Sequence, residues 1–203
     1  MKYRFTNRTG GASSGAFASL NLGTHVSDDL GAVLRNRATL AQEFGSIQFM
    51  SQVHGNRVVI IESVTDEDPT ADALVTGIPG VALAVQVADC IPLLLHSPEA
   101  VAAVHVGRKG LVNDVSLRAI EVMREMGAQK ISAIIGPSIC GSCYEVSQEI
   151  HDEVVALHPS AASSTTQGTP ALDLPAALRK VLVSHGISYQ DESRCTHECE
   201  DLF

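Results

Sequence analysis

The chain of 203 residues contains no tryptophan, and aromatic residues make up only 4% of it. Hydrophobic residues still make up 45%, so a core of Val, Ala, Leu and Ile is expected. So few aromatic rings argue against a stacking platform for single-stranded nucleic acid. Positive charge is also scarce, because 14 Lys and Arg stand against 23 Asp and Glu, a formal net charge of −9. This balance argues against duplex binding and favours small-molecule partners, with no nucleic acid among them.

Long apolar runs are missing as well. No segment reaches the roughly 18 uninterrupted apolar residues of a membrane span, and the N-terminal stretch MKYRFTNRTGGASSG has no apolar core of signal-peptide length. The sequence therefore predicts a cytoplasmic protein with no membrane partner. Five cysteines in a reducing compartment are more often free, metal-bound or catalytic than disulfide-linked. Their odd number leaves at least one unpaired, and Cys90 is the candidate for that one.

Helical and strand patterns are interleaved along the chain. A first helix is predicted with Ser27 or Asp28 as its cap and Gly45 as its end. Further helices are predicted at 113–127, 147–158 and 173–186, and strands at 3–6, 48–53, 57–62 and 131–136. Helices that alternate with hairpins in this way predict an α/β (α+β) fold in which helices cover a mixed sheet. One domain is expected over residues 1–203.

The stretch VADCIPLLLHSPEAVAAVHVG, residues 87–107, reads as a β-hairpin. Its turn is Ser97-Pro98-Glu99-Ala100, with proline where a type I turn accepts it. If the turn centre lies between Pro98 and Glu99, Pro92 pairs with His105, and Cys90 then shares a face with His105. Diagonal side chains on such a pair start about 7–8 Å apart, a span that one metal ion between a thiolate and an imidazole can bridge.

Three residues form the principal candidate site: His54 in a turn, and Cys90 and His105 on the hairpin. One thiolate and two imidazoles suit tetrahedral zinc, and three protein ligands with an open fourth position are the catalytic pattern. A second hypothesis makes Cys90 a thiolate nucleophile, His105 its base and Asp89 or another polar group the orienting group. A third hypothesis gives these residues neither a metal-binding nor a catalytic role, because buried cysteines and strand histidines are usually core residues. Stoichiometric metal separates the first hypothesis from the second.

The other four cysteines also form spaced pairs. Cys140 and Cys143 form a CxxC, and Cys195 and Cys199 form a CxxxC around His197. A four-cysteine structural zinc site is conceivable from this spacing. Structural sites seldom rest on a chain end, however, and the second pair lies near one. Free thiols are therefore the favoured interpretation of all four.

Several longer motifs together resemble a known family. They are, in order, FTNRTGGASSGAFASLNLGTHVSDD, SQVHGNRVV, ADALVTGIPGVALAVQVADCIPLLL, AVHVGRKG, IGPSICGSCYEV and RCTHECEDLF. The family is the YfiH family, also called the multicopper polyphenol oxidase or laccase-domain family, and the resemblance covers nearly the whole chain. In that family the QVHG, ADC and VHVG-type motifs supply His, Cys and His to a single metal ion. They correspond here to His54, Cys90 and His105, which the resemblance implies are both metal ligands and catalytic residues.

The resemblance also implies a fold and an activity. The fold would be a layered α/β/β/α sandwich, and the activity that of a zinc-dependent purine nucleoside enzyme, with copper as the alternative metal. Such an enzyme phosphorolyses adenosine, inosine and methylthioadenosine and deaminates adenosine, so purine nucleosides and phosphate would be its partners. Substrate or phosphate contacts are expected from six residues in the matching motifs: Arg8, Asn21, His25, Arg37, Gln52 and Tyr144. Tyr144 either stacks on a base or packs in the core.

Other functions remain as alternatives. Where the family reads HAGWRG, this chain reads HVGRKG at residues 105–110, which leaves the preferred nucleoside open. Copper-dependent polyphenol oxidation is one alternative, but laccase chemistry needs several coppers, and the eight histidines are scattered. A cysteine-dependent hydrolase or peptidoglycan-editing factor is another, in which Cys90 would attack an amide bond. The sequence does not fix the oligomeric state, although a monomer is favoured.

Overall fold

The computed structural model describes residues 1–202. Its helices are α1 (Leu30–Phe44), α2 (Arg108–Val112), α3 (Val115–Glu125), α4 (Gln148–Leu157) and α5 (Leu174–Ser184), with short 3-10 helices at Gly15–Phe17 and Pro159–Ala161. Its strands are β1 (Ile47–Gln48), β2 (Val58–Ile60), β3 (Ala73–Thr76), β4 (Ala82–Leu83), β5 (Ile91–His96), β6 (Val101–Val106), β7 (Ser132–Ile135), β8 (Ala162–Ser164), β9 (Pro170–Leu172) and β10 (Ser188–Asp191). In the part of the chain described, no helix is long and apolar enough to cross a membrane.

The main sheet has six strands in the order β10-β7-β5-β6-β3-β2. Its two outer pairs, β10–β7 and β2–β3, are parallel, and the pairs between them are antiparallel. Two small sheets, β1–β4 and β8–β9, flank it. Mixed sheets combined with helices confirm the predicted α/β class.

Both faces of the main sheet are covered. Ala73 and Val75 of β3 belong to the larger core, together with Ile120 of α3 and Leu178 of α5. The next side chain along β3, Leu74, belongs instead to a smaller core with Met50, Ile61 and Ala71. Successive side chains of a strand point to opposite faces, so burial on both faces explains why β3 is buried at every position and apolar from Ala73 to Val75.

The predicted hairpin is confirmed in its register. β5 and β6 pair antiparallel with Pro92 opposite His105, as the turn position requires. The turn closes through the Ser97 N–H, which donates to the Ala100 carbonyl at 2.9 Å. The Ser97 hydroxyl accepts the Ala100 N–H at 3.0 Å.

Two local predictions were wrong. Helix α1 is capped by Asp29 and not by Ser27 or Asp28, because the Asp29 carboxylate accepts the Ala32 N–H at 2.7 Å while Asp28 accepts a bond from Asn21. Residues 3–6 form no strand, and of the predicted strand 48–53 only Gln48 lies in a strand, β1. The helix predicted over 113–127 is present as α3, which begins after Asp114 without a side-chain capping bond. The helix predicted over 173–186 is present as α5, where the Asp173 carboxylate accepts the Ala176 N–H at 2.8 Å.

Candidate metal centre

The sheet register places a carboxylate against His105. Ala73 lies opposite Val104, so Asp72, one residue before β3, comes opposite His105. The His105 N–H donates to the Asp72 carbonyl at 2.8 Å, and the His105 Nδ1 lies 2.8 Å from Asp72 Oδ1. An ionised carboxylate only accepts hydrogen bonds, so Nδ1 carries the proton. The Nε2 lone pair of His105 is thereby left for a metal ion, an arrangement typical of metal-binding histidines.

The same carboxylate holds the turn that carries His54. Asp72 Oδ1 accepts the His54 N–H at 2.9 Å, and Oδ2 accepts the Gly55 N–H at 2.7 Å and the Val53 N–H at 3.4 Å. His54 has a φ of 58°, a left-handed conformation that is uncommon outside glycine. Asp72 is fully buried, so its bonds to three successive amides offset this cost where water cannot compete.

Cys90 completes the cluster from the segment before β5. Its Sγ lies 3.8 Å from His54 Nε2, and the rings of His54 and His105 meet edge to face with centroids 4.6 Å apart. One ligand atom from each of the three residues lies within 4.8 Å of the other two. Tetrahedral zinc with N and S ligands at about 2.0–2.3 Å separates its ligand atoms by about 3.3–3.8 Å. The three side chains therefore fit one such ion.

Gly107 leaves the room that this cluster needs. A Cβ on Gly107 would lie 2.9 Å from Cys90 Sγ and 3.0 Å from His54 Cδ2. Its φ of −85° is accessible to any residue, so the requirement for glycine is one of space and not of backbone conformation. Any side chain at this position would push apart two of the three ligands.

Burial sets the protonation of the two hairpin ligands. It raises the pKa of the Cys90 thiol to about 11, with smaller contributions from the negative charges of Asp89 and Asp72. Burial also lowers the pKa of His105, and the hydrogen bond to Asp72 offsets this only in part. His105 is therefore a neutral imidazole near pH 7, the form that binds a metal. A thiol with a raised pKa is a poor free nucleophile, which weighs against the nucleophile hypothesis.

The nucleophile hypothesis left the orienting group open between Asp89 and another polar residue, and the structure supplies the second. Asp72, and not Asp89, contacts the His105 ring. The Asp89 carboxylate accepts the Thr196 hydroxyl at 2.8 Å. The imidazole nearest the Cys90 sulfur is that of His54.

Five of the six predicted substrate contacts are bonded to or packed against other parts of the protein, and His25 is exposed. Arg37 donates through Nε to the Leu22 carbonyl, pairs with Asp68 at 2.9 Å and stacks over Phe49. Asn21 is hydrogen-bonded to Asp28 and Gly23. Gln52 forms two hydrogen bonds with the Gln86 backbone, and Tyr144 packs against the larger core. Arg8 donates from Nε to the Ala18 carbonyl at 2.9 Å, and His25 is exposed.

Sequence reasoning missed Asp72 and Gly107. A signal for Asp72 was present, since it is the one charged residue in the apolar stretch ADALV that opens β3. A carboxylate at such a position needs buried donors, and a backbone turn with a histidine supplies them here. Nothing in the sequence points to Gly107 before the folding of the QVHG turn against the hairpin is known.

Comparison with known proteins gives a consistent result. The family described as "Multi-copper polyphenol oxidoreductase laccase" matches residues 2–203. The chain is 42% identical to a purine nucleoside phosphorylase of Streptomyces coelicolor over 99% of this chain and 88% of the relative. It is 44% identical to one of Mycobacterium bovis over 98% and 83%.

Solved structures agree on the fold. The crystal structure of a Neisseria meningitidis protein superposes with a TM-score of 0.86 at 35% identity, over 95% of this chain and 82% of that protein. The crystal structure of YlmD from Geobacillus stearothermophilus gives 0.86 at 32% identity, over 98% and 83%.

Proposed function

The chain belongs to the multi-copper polyphenol oxidoreductase laccase family, and on this premise we propose that it is a zinc-dependent purine nucleoside phosphorylase. The observation that carries the proposal is the convergence of His54, Cys90 and His105 in a chain whose relatives at 34–44% identity are named purine nucleoside phosphorylases. Adenosine, inosine and methylthioadenosine are the proposed substrates. Five free cysteines suit the reducing cytoplasm, where we place the activity.

The donor set fits zinc. A thiolate and two imidazoles are zinc ligands, and a carboxylate behind one imidazole is the usual outer partner. When bound, the ion supplies a Lewis acid and an activated water in the open fourth position. The residues of the chain contribute the rest: Asp72 keeps the proton on His105 Nδ1 and holds the turn that carries His54, while Gly107 lets Cys90 and His54 approach each other.

Phosphorolysis exchanges one bond at the ribose anomeric carbon. The bond from C1′ to the purine nitrogen breaks, a bond from C1′ to a phosphate oxygen forms, and the base leaves with its electron pair and takes up a proton. Phosphate must therefore be held against the ribose by positive groups. We retain Arg8 and His25 as the proposed phosphate contacts, since no carboxylate within residues 1–202 forms an ion pair with either. Asn21, Arg37, Gln52 and Tyr144 are proposed to shape the nucleoside pocket through the loops that they fasten.

Adenosine deamination is the second proposed activity of the same centre. Three protein ligands leave one position for water, and the nucleobase deaminases use zinc held by histidine and cysteine in this way. The two reactions differ in what they consume. Phosphorolysis needs phosphate and releases adenine and ribose 1-phosphate, whereas deamination needs only water and releases inosine and ammonia.

A chromatographic assay of adenosine with and without phosphate tests both activities. We expect adenine only with phosphate, and inosine in either case if deamination occurs. Cys90→Ala should remove both products and one zinc ion, because it removes the only thiolate of the centre. Cys199→Ser is the matched control, since the Cys199 sulfur lies outside the cluster.

Several outcomes would contradict the proposal. Full turnover in Cys90→Ala would place the chemistry elsewhere. Turnover of a phenol by copper-loaded protein, without nucleoside turnover by zinc-loaded protein, would favour the oxidase, because the same donors also bind copper. Hydrolysis of a muropeptide amide by metal-free protein would favour the cysteine hydrolase.

A further inference from the structure

Three sulfur atoms and a carboxylate lie close together at a second place in the fold. It is formed by the loop after β7 (residues 136–147) and the C-terminal segment (residues 194–202). One ligand atom from each of Cys140, Cys143, Cys195 and Glu198 lies within 4.8 Å of the others. The sequence reasoning favoured free thiols here because the CxxxC pair lies near the end of the chain. The structure retains free thiols but brings three of the four sulfurs together, with Glu198 in the place expected for Cys199.

The first half of this cluster is a tight turn. The N–H groups of Cys143 and Tyr144 both donate to the Cys140 carbonyl at 3.1 Å, which brings the CxxC side chains to the same side. Gly141 is required inside the turn, because a Cβ there would lie 2.7 Å from the Asp173 side chain. A CxxC turn of this kind supplies two of the four ligands in many structural zinc sites.

The second half is held to the first by backbone pairing. Ser138 forms a parallel bridge with Cys195, in which the Ser138 N–H donates to the Arg194 carbonyl at 3.0 Å and the Thr196 N–H donates to the Ser138 carbonyl at 3.2 Å. The Cys140 N–H points to the Cys195 sulfur at 3.4 Å. Hydrogen bonds of this kind to a ligand sulfur belong to the outer shell that orients metal ligands.

Glu198 provides the fourth candidate ligand atom of this cluster. Its Oε1 lies 3.6 Å from Cys143 Sγ, which agrees with the roughly 3.5 Å expected between an oxygen and a sulfur ligand of tetrahedral zinc. Within residues 1–202, Glu198 forms no ion pair, although it faces three ionisable sulfurs. The Cys143 thiol donates to the exposed Glu198 carboxylate, and when the sulfurs bind as thiolates a divalent cation between them and the carboxylate offsets their mutual repulsion. Cys199 lies apart, with its sulfur against the Arg194 guanidinium.

We propose that Cys140, Cys143, Cys195 and Glu198 bind a second zinc ion, separate from the one at His54, Cys90 and His105. Three soft thiolates and one carboxylate select zinc over magnesium or calcium. With four protein ligands the site is closed, so its role is structural. The ion fastens the C-terminal segment to the loop after β7, and Thr196 and Ile139 in these two segments donate to the Asp89 side chain and carbonyl, next to Cys90.

Metal content of the protein, purified under reducing conditions and determined by mass spectrometry of metals and of the native chain, tests the proposal. We expect two zinc ions per chain in the wild type, one in Cys143→Ser, one in Cys90→Ala and two in the control Cys199→Ser. In Cys90→Ala, X-ray absorption of the remaining zinc should show mainly sulfur ligands near 2.3 Å. Because this readout counts metal and not turnover, failure of the proposed activity leaves it unaffected.

The wild-type stoichiometry decides the matter even if Cys143→Ser does not fold. One zinc per chain that disappears entirely in Cys90→Ala would overturn the second site. So would a mass 2 Da below that of the reduced Cys90→Ala chain together with loss of two titratable thiols, since any disulfide among the other four cysteines takes up at least one of the three proposed sulfur ligands. Nitrogen-rich ligation of the zinc in Cys90→Ala would place the second ion at other residues.

Discussion

At the scale of single residues, the proposed metal centre depends as much on Asp72 as on its three proposed ligands. Its two carboxylate oxygens accept bonds from His105 Nδ1 and from three successive backbone N–H groups. All four partners are donors, so no neutral side chain of the same size can satisfy them all. Asp72 therefore connects the turn of His54 to the strand of His105, and each ligand is positioned through the other.

Asp72→Asn tests this connection. An asparagine amide turns at least one NH₂ towards backbone N–H groups or towards His105, so bonds are lost at a buried position. We expect zinc affinity to fall by about 10–100-fold, as for other outer-shell partners of metal ligands. We also expect the free energy of unfolding of the metal-free protein to fall by about 1–3 kcal/mol. Competition with a zinc chelator and urea denaturation measure the two effects.

Asp152→Asn is the control for this substitution, because the Asp152 carboxylate is on an exposed helix surface and contacts only Gln148 and His151. Both quantities should be unchanged in it. Wild-type zinc affinity in Asp72→Asn would show that the His105 ring is oriented by packing alone.

At the scale of elements, the register of hairpin β5–β6 could be predicted from the sequence. The approach of His54 to the two hairpin residues could not. The hairpin is local, since a proline turn and a two-residue side-chain period fix Pro92 opposite His105. The approach of His54 to Cys90 is not local, because it depends on β3 pairing with β6 and on Asp72 holding the turn. His54 could be named from its turn as a candidate, but only the fold brings it to the hairpin residues.

The helices show the same division. The helices predicted over 113–127 and 173–186 follow from the local sequence pattern, and they are present as α3 and α5. The start of α1 was predicted one or two residues early, because Asp28 and Asp29 are equivalent as caps in the sequence. The Asp28 carboxylate instead accepts bonds from Asn21, seven residues earlier, and from the Asp29 N–H. The cluster of Cys140, Cys143 and Cys195 was likewise hidden by a separation of more than 50 residues.

The junction between β6 and α2 gives a second prediction. Gly107→Ala adds a methyl group 2.9 Å from Cys90 Sγ, and the resulting overpacking should cost about 1–3 kcal/mol. We expect this cost mainly in zinc binding, because displacement of either Cys90 or His54 relieves the clash. Isothermal titration of metal-free protein with zinc measures it.

Gly31→Ala, in the exposed first turn of α1, is the control, since its Cβ would meet only the ends of the Asp29 and Arg35 side chains. It should leave zinc binding unchanged. Unaltered zinc binding in Gly107→Ala would mean that the cluster opens without cost, contrary to the packing described.

At the scale of the whole molecule, the C-terminal segment connects parts of the chain that are distant in sequence. Its Asp201 carbonyl accepts the Arg8 N–H at 3.1 Å, its Thr196 bonds to Asp89, and Leu202 is buried. One proposed phosphate contact, Arg8, and one proposed metal ligand, Cys90, therefore both border this segment. A zinc ion at Cys140, Cys143, Cys195 and Glu198 would stabilise all of these contacts together, by mass action on the folded segment.

Hydrogen exchange tests this coupling. Without the second zinc ion, residues 194–202 keep their backbone pairing to Ser138 but lose the cross-link, so the segment should open locally more often than the sheet. In Cys143→Ser we expect about tenfold faster exchange at the amides of Arg8, Ser138 and Thr196, equivalent to about 1.4 kcal/mol of local stability. The amides of β5 and β6 should exchange at the wild-type rate, and Cys199→Ser should match the wild type throughout. Uniform acceleration across the sheet would mean that Cys143 supports the global fold. Unchanged exchange at the Arg8 amide would mean that the second ion does not stabilise the N-terminal loop.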